Sequence, residues 1–207
     1  SAYYYIGLCQ MYMAEYEAAI ASFQKIIDDY PNNRFYVSAW DDGLLVLDGS
    51  NPAQVTRIAS FDTPGSAWGV NARDNLAFVA DSYGGGLHVL DVGHVPQVSR
   101  LGGYDTPGDC SSVELAGNLA YVADGWNLAV LDITDPSDVR YAGAFDMAGW
   151  ASEVKVVGNL VYVADGAFGL TLFEINRGMA GARPAFSAIE RLPDGGWRLT
   201  LTGSANG

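Results

Sequence analysis

The feature that most constrains this chain is a pattern that returns between positions 34 and 175. Leu47, Leu90, Leu131 and Phe173 occupy one place in it, at spacings of 43, 41 and 42 residues. A first apolar segment recurs as Phe35-Tyr36-Val37-Ser38, Leu76-Ala77-Phe78-Val79-Ala80-Asp81, Leu119-Ala120-Tyr121-Val122-Ala123-Asp124 and Leu160-Val161-Tyr162-Val163-Ala164-Asp165. A Gly-containing loop follows each. A second segment then appears as Leu44–Asp48, Leu87–Asp91, Leu128–Asp132 and Leu170–Glu174. A third element keeps the same register: Phe61-Asp62-Thr63-Pro64-Gly65, Tyr104-Asp105-Thr106-Pro107-Gly108 and Phe145-Asp146-Met147-Ala148-Gly149. Short β-rich runs bounded by Gly, Pro and Asn read as strands and turns. Each unit therefore reads as four short strands with three turns.

Four-stranded units of this length are the signature of β-propeller blades. One small twisted sheet has two apolar faces, and it buries them only by stacking against its neighbours. The fold class we expect is mainly β, with blades of four antiparallel strands. The segments Tyr121-Val122-Ala123-Asp124-Gly125, Val130-Leu131-Asp132-Ile133, Asp135-Pro136 and Phe61-Asp62-Thr63-Pro64-Gly65 resemble the LVIVD repeat, over about two thirds of the chain. That resemblance implies a propeller and a location that is extracellular, periplasmic or at the cell surface. It implies no particular chemistry, because a propeller supports many. Counting from Phe35 to Ile175 gives about 3.5 blades, a partial ring. Three solutions stand side by side. The chain is a piece of a longer propeller, or two copies join as half-rings in a homodimer, or the tail completes the fourth blade.

Residues 1–33 read differently. Tyr3, Ile6 and Met13, then Ala19, Ile20, Phe23, Ile26 and Ile27, recur at helical spacing, and Tyr30-Pro31-Asn32-Asn33 stops the pattern. Gly7, Tyr16, Ala19, Phe23 and Pro31 resemble one tetratricopeptide repeat, with Gln10 and Ala14 departing from it. An N-terminal α-helical hairpin over 1–33 is expected, a single repeat that makes no groove alone. At the other end, 176–184 reads as a Gly-rich linker. Residues 185–207 read as a β-hairpin around Pro193-Asp194-Gly195-Gly196, the start of a truncated β module.

The formal net charge is −13. Within 34–175, 18 acids stand against six bases. A field of that sign repels phosphate backbones and argues against nucleic acid as a partner. No apolar run is long enough for a membrane-spanning helix, so no membrane insertion is expected. Cys9 and Cys110 lie far apart, and their spacing alone supports no bridge.

Catalysis needs convergent groups. The two histidines are His88, whose counterparts Leu45, Ala129 and Thr171 suggest a tolerant surface position, and His94, in a turn. There is no zinc-protease motif, nucleophile elbow or phosphate loop. No cofactor, metal or catalytic residue is assigned. Two sets of acids recur with the units: Asp48, Asp91, Asp132 and Glu174, and Asp81, Asp124 and Asp165. A carboxylate ring for Ca²⁺ is one reading. Asp side chains accepting backbone N–H bonds at strand ends is the simpler one. The loop after each first segment carries a ring, Trp40, Tyr83, Trp126 or Phe168, and Trp68 and Trp150 stand in a second loop. Such a rim binds a peptide or a sugar by stacking; the plainer alternative is that each ring packs over the next blade. The reading that follows is a non-enzymatic interaction or adhesion module with a protein or peptide partner, or a carbohydrate. The alternative is a propeller enzyme, which needs a non-repeating cluster of titratable groups at the axis.

Overall fold

The computed structural model describes residues 34–51 and 53–175, with the backbone alone for 176–177, 183–191 and 197–204. The helical hairpin expected over 1–33 lies outside these residues, as does Cys9. Everything described is strand and turn apart from one 3₁₀ turn at Gly166–Phe168. Among the described residues no helix is long and apolar enough to cross a membrane.

Unit 1 is β1 (Arg34–Ser38), β2 (Leu44–Asp48) and β3 (Thr56–Phe61), paired in that order. Unit 2 is the full antiparallel set: β4 (Ser66–Arg73), β5 (Leu76–Ser82), β6 (Gly86–Asp91) and β7 (Ser99–Tyr104). Units 3 and 4 share strands. They begin with β8 (Cys110–Ala116), β9 (Leu119–Asp132) and β10 (Arg140–Val157). The first half of β9 pairs with β8 and its second half with β10. The Ile133 amide donates to the Asn118 carbonyl at 2.9 Å, so the two ends of β9 meet and the strand folds back on itself. The same bond closes β5–β6, from Val92 to Asn75, at 2.9 Å. β10 does the opposite. Its first half finishes unit 3, and its second half opens unit 4 by pairing with β11 (Leu160–Asp165). β12 (Leu170–Arg177) follows β11 antiparallel.

The tail forms the expected hairpin, β13 (Arg183–Arg191) against β14 (Trp197–Ser204). The strands reach into both ends of the expected 176–184 linker. β14 lies beside β12 in parallel register, Phe173 opposite Trp197. It thus takes the fourth place of unit 4 with the polarity opposite to that of β7 in unit 2.

The core is divided among the seams between units. Strand period 2 is the cause, since alternate side chains leave opposite faces. In β5, Ala77 and Val79 join Leu44 and Val46 of unit 1, while Phe78 and Ala80 join Val113 and Val122 of unit 3. In β9, Ala120 and Val122 face unit 2, while Tyr121 and Ala123 face Val161, Val163 and Phe173 of unit 4. A strand that meets two neighbours this way has no polar face, which is why the first segments read as continuous apolar runs.

Candidate functional site

All the strands turn at two rims. One rim holds the loops 39–43, 62–65, 82–86, 105–109, 125–127, 147–150 and 166–169; we call it the upper rim. Its loops are tied down by three buried carboxylates at the ends of first segments. Thr63 Oγ1 donates to Asp81 Oδ1 at 2.8 Å, and the Gly65 amide donates to Oδ2 at 2.8 Å. Unit 3 repeats this with Thr106 at 2.7 Å and Gly108 at 3.1 Å on Asp124. In unit 4 Met147 replaces the threonine. Gly149 still donates to Asp165, at 2.7 Å, and Thr171 supplies the missing hydroxyl from β12 at 3.0 Å. The Pro-Gly glycine is required by close approach. A Cβ on Gly65 would lie 2.0 Å from the Ser82 carbonyl oxygen, and one on Gly108 would lie 2.4 Å from that of Asp124. The second acid set caps turns at the opposite, lower rim: Ser50, Gly93 and Thr134 amides donate to Asp48, Asp91 and Asp132 at 2.8, 2.8 and 2.9 Å. The Ser50 amide holds the Asp48 carboxyl below the usual carboxylate range. In both sets the carboxylates accept protein donors, as expected for strand-end acids rather than a calcium ring. Glu174 differs and accepts from the Asn159 side chain at 3.2 Å.

The four rings predicted from sequence are all on the upper rim and all exposed: Trp40 53%, Tyr83 70%, Trp126 59% and Phe168 66%. They sit at seams. Trp40 of unit 1 packs against Trp68 of unit 2 with centroids 4.8 Å apart. Trp126 of unit 3 meets Trp150, at the entry to unit 4, edge-on at 6.0 Å. Tyr83 donates its amide to Asp109 of the next unit at 3.1 Å, leaving its ring outside. Phe168 lies over Gly149, whose Cβ would fall 2.8 Å from the ring. Trp40, Trp126 and Phe168 thus each make a packing contact while remaining more than half exposed, and the Tyr83 ring is the most exposed of the four. Trp68 and Trp150 are not register equivalents. Trp68 follows Ala67, opposite Asp81, whereas Trp150 precedes Ala151, opposite Asp165. Trp68 occupies a β-bulge, a device that re-aims a side chain.

Comparison with known proteins fits this anatomy. The LVIVD repeat model matches four times, at 32–63, 64–106, 107–146 and 148–175, which is more than half of the chain. The chain belongs to the LVIVD-repeat family. A tetratricopeptide repeat model matches residues 1–33. No curated protein matches the chain. Among solved structures, the fold is similar to the computationally designed Ika8 protein, at TM-score 0.53 and 12% identity over 84% of this chain and 57% of that one. It is also similar to the computationally designed Ika4 protein, at TM-score 0.50 and 17% identity over 71% of this chain and 88% of that one. The chain therefore spans less than two thirds of Ika8.

The LVIVD boundaries at 64 and 107 fall in the Thr-Pro-Gly turns, so the second and third repeats begin with the strand that follows such a turn, and the fourth, from 148, begins likewise within β10. Those first strands, β4, β8 and the second half of β10, carry a feature that the repeat pattern hid. Asn71, Glu114 and Lys155 share one register position, and Gly69, Ser112 and Glu153 another. Neither position repeats a residue. Asn71 Nδ2 and Lys155 Nζ donate to the two oxygens of Glu114 at 3.1 and 2.6 Å, and Ser112 Oγ donates to Glu153 at 2.7 Å. Burial pushes the Glu153 carboxyl up, against the Ser112 bond and the Lys155 charge. This polar ladder joins three LVIVD units by side chains.

His88 is not a tolerant surface position. It is 1% exposed, and its Nε2 lies 3.2 Å from Asp81 Oδ2. Burial, then Arg100, holds the imidazole below its ordinary range, against the pull of Asp81. Nε2 faces the Asp81 carboxyl, and buried Nδ1 has no partner. His88 and Thr171 occupy the same register place, opposite Val79 and Val163, and serve the same clamp. In unit 3 that place is Ala129, and Cys110 Sγ approaches Asp124 at 3.5 Å instead. Cys110 is a buried free thiol.

Proposed function

We propose that the four units are consecutive blades of a β-propeller, and that this LVIVD-repeat chain is a non-enzymatic interaction module that docks a protein or peptide on its upper rim. The observation that carries the reading is the row of exposed rings, Trp40, Tyr83, Trp126 and Phe168, one in the same loop of every unit. Exposed aromatic side chains beside rigid strands supply contact area at low entropic cost, as in known interface anchors. A location at the cell surface, in the periplasm or outside the cell is supported by the family resemblance alone. The test is selection of peptides from a random heptapeptide display library on the full chain, with a glycan array in parallel. The expected result is peptide binding that Trp126→Ser and Phe168→Ser weaken at least tenfold while circular dichroism is unchanged. Glycan binding lost in the same variants would move the ligand class to carbohydrate. Binding indifferent to all four rings would remove the rim as the site.

The enzyme reading has one supporting observation, the non-repeating ladder with Glu153 raised by burial. Its carboxylates already accept protein donors, which favours a tie between blades.

A further inference from the structure

Charge is sorted by rim. The upper-rim loops carry Asp41, Asp42, Asp62, Asp105, Asp109 and the adjoining Asp146, and not one Lys, Arg or His. All five arginines of residues 34–175 stand at the lower ends of strands: Arg34 opens β1, Arg57 lies in β3 opposite Leu47, Arg73 closes β4, Arg100 lies in β7 opposite Leu90, and Arg140 opens β10. Among the described residues none of these six upper-rim acids is in an ion pair. Five are exposed, and Asp109 is half-buried. A surface that only has to stay dissolved does so with both signs interspersed. Here one rim is purely acidic, and it is the rim that displays the rings.

We infer that the occupant of this rim is a polypeptide segment rich in Arg or Lys, an inference that rests on the docking reading above. Two independent features select the same chemistry. The face of an aromatic ring attracts a guanidinium or ammonium group. Carboxylates around it that have no cationic partner steer cations in and repel anions. A neutral sugar would use the rings and leave the carboxylates without counter-charge. An anionic ligand would be repelled. A single small cation would meet one seam, whereas rings recur at successive seams along the rim, which suits an extended chain with several positive groups.

The probes are three end-labelled octapeptides in which Gly alternates with Arg, Gln or Glu, titrated against the full chain by fluorescence anisotropy at low and physiological salt. The Arg peptide is expected to bind at least tenfold more tightly than the Gln peptide, with affinity falling as salt rises. Asp62→Asn/Asp105→Asn, at exposed rim positions, is expected to lose about tenfold. Asp74→Asn/Asp138→Asn, the same charge change on the lower rim, is expected to lose less than twofold. Trp40→Ser/Trp126→Ser is expected to lose binding of the Arg peptide. Equal affinity for the Gln peptide, lost in the tryptophan variant, would overturn the cationic partner and leave the docking rim standing. Equal losses in the two aspartate pairs would mean diffuse attraction to an acidic protein and would overturn the assignment. Arg-peptide binding that ignores the tryptophan variant would overturn the rim itself, as would failure of all three peptides together with failure of the display library.

Discussion

The Thr106–Asp124 clamp gives the most direct test of how the rim is held. Both side chains are buried, at 5% and 0% exposure, and their oxygens are 2.7 Å apart. Thr106→Val keeps the shape and deletes the hydroxyl. A hydrogen bond to a charged group contributes about 1.5–3 kcal/mol, and the valine variant should lose about that much. Asp124→Ala removes the acceptor of the Thr106 hydroxyl, the Gly108 amide and the Cys110 thiol, leaving the hydroxyl only the weak sulfur contact of Cys110 at 3.0 Å. Each stranded donor costs about 1–3 kcal/mol, partly offset by removal of a buried charge, so a loss of about 3 kcal/mol is expected. In the double variant the hydroxyl is no longer stranded. The coupling energy should therefore be about 1.5–3 kcal/mol, far from additivity. Urea unfolding followed by tryptophan emission measures all four corners, with the midpoint shifting at constant slope. A coupling below about 0.5 kcal/mol, the usual scatter of additivity, would refute the clamp as the tie between the Thr-Pro-Gly turn and the sheet. The smaller effect of Thr171→Val on Asp165, where the pair is only part-buried, serves as an internal comparison.

Three further outcomes are expected. The His88 imidazole is depressed by burial, so the unfolded chain takes up its proton first as pH falls. Stability is then full above pH ~6.5 and falls as pH drops from there through the lower folded value. His88→Leu, the residue unit 1 carries as Leu45, should flatten this part of the stability–pH curve; an unchanged slope would show that His88 does not titrate on unfolding. Burial and the Asp124 charge push the Cys110 thiol above its ordinary range, so in a Cys9→Ser background it should react with Ellman's reagent only on unfolding, and rapid native reaction would contradict its burial. Finally, β1 pairs only with β2 among the described strands, and the fourth place of unit 4 is taken by a strand of reversed polarity. We propose that a second copy completes the ring, and light scattering should then report twice the chain mass; a compact monomer would favour closure by the tail.

The strands were legible because two periods coincide. Alternation within a segment and the return near 42 residues both come from stacking small sheets, and the strands fall where those two patterns agree. The role of the acids at strand ends was legible too, since an Asp before a turn has few other uses. What escaped were relations between units. His88 looks tolerant when compared only with Leu45, Ala129 and Thr171. Its burial follows from the seam it enters and the carboxylate of Asp81 beside it, neither of which its local alternation reveals. The ladder escaped because Asn71, Glu114 and Lys155 share a position but no chemistry. The sorting of charge between rims appears only once each turn is assigned to an end of its strand. The structure also accounts for a gap in the repeat. Unit 1 has Ala39 where the other units have the clamp aspartate, and no Thr-Pro-Gly segment precedes it. An aspartate at this half-buried position would have lacked those donors.

The clamps bear on why the rim displays rings at all. Directly after the clamp position the chain enters the left-handed region, at Trp40 (φ 54°), Gly125 (φ 62°) and Gly166 (φ 51°); in unit 2, whose loop is longer than the other three, Tyr83 (φ 59°) does so. Glycine fills this place in units 3 and 4 without penalty, and the ring follows one or two residues later as Trp126 or Phe168. An L-residue there costs about 1–2 kcal/mol. Units 1 and 2 bear that cost for side chains that remain 53% and 70% exposed. Burial therefore returns little at Tyr83, and at Trp40 it returns one ring contact. Stability alone would have put glycine in all four loops. Two bulky rings held in strained backbone on the acidic rim support the docking role proposed for that rim.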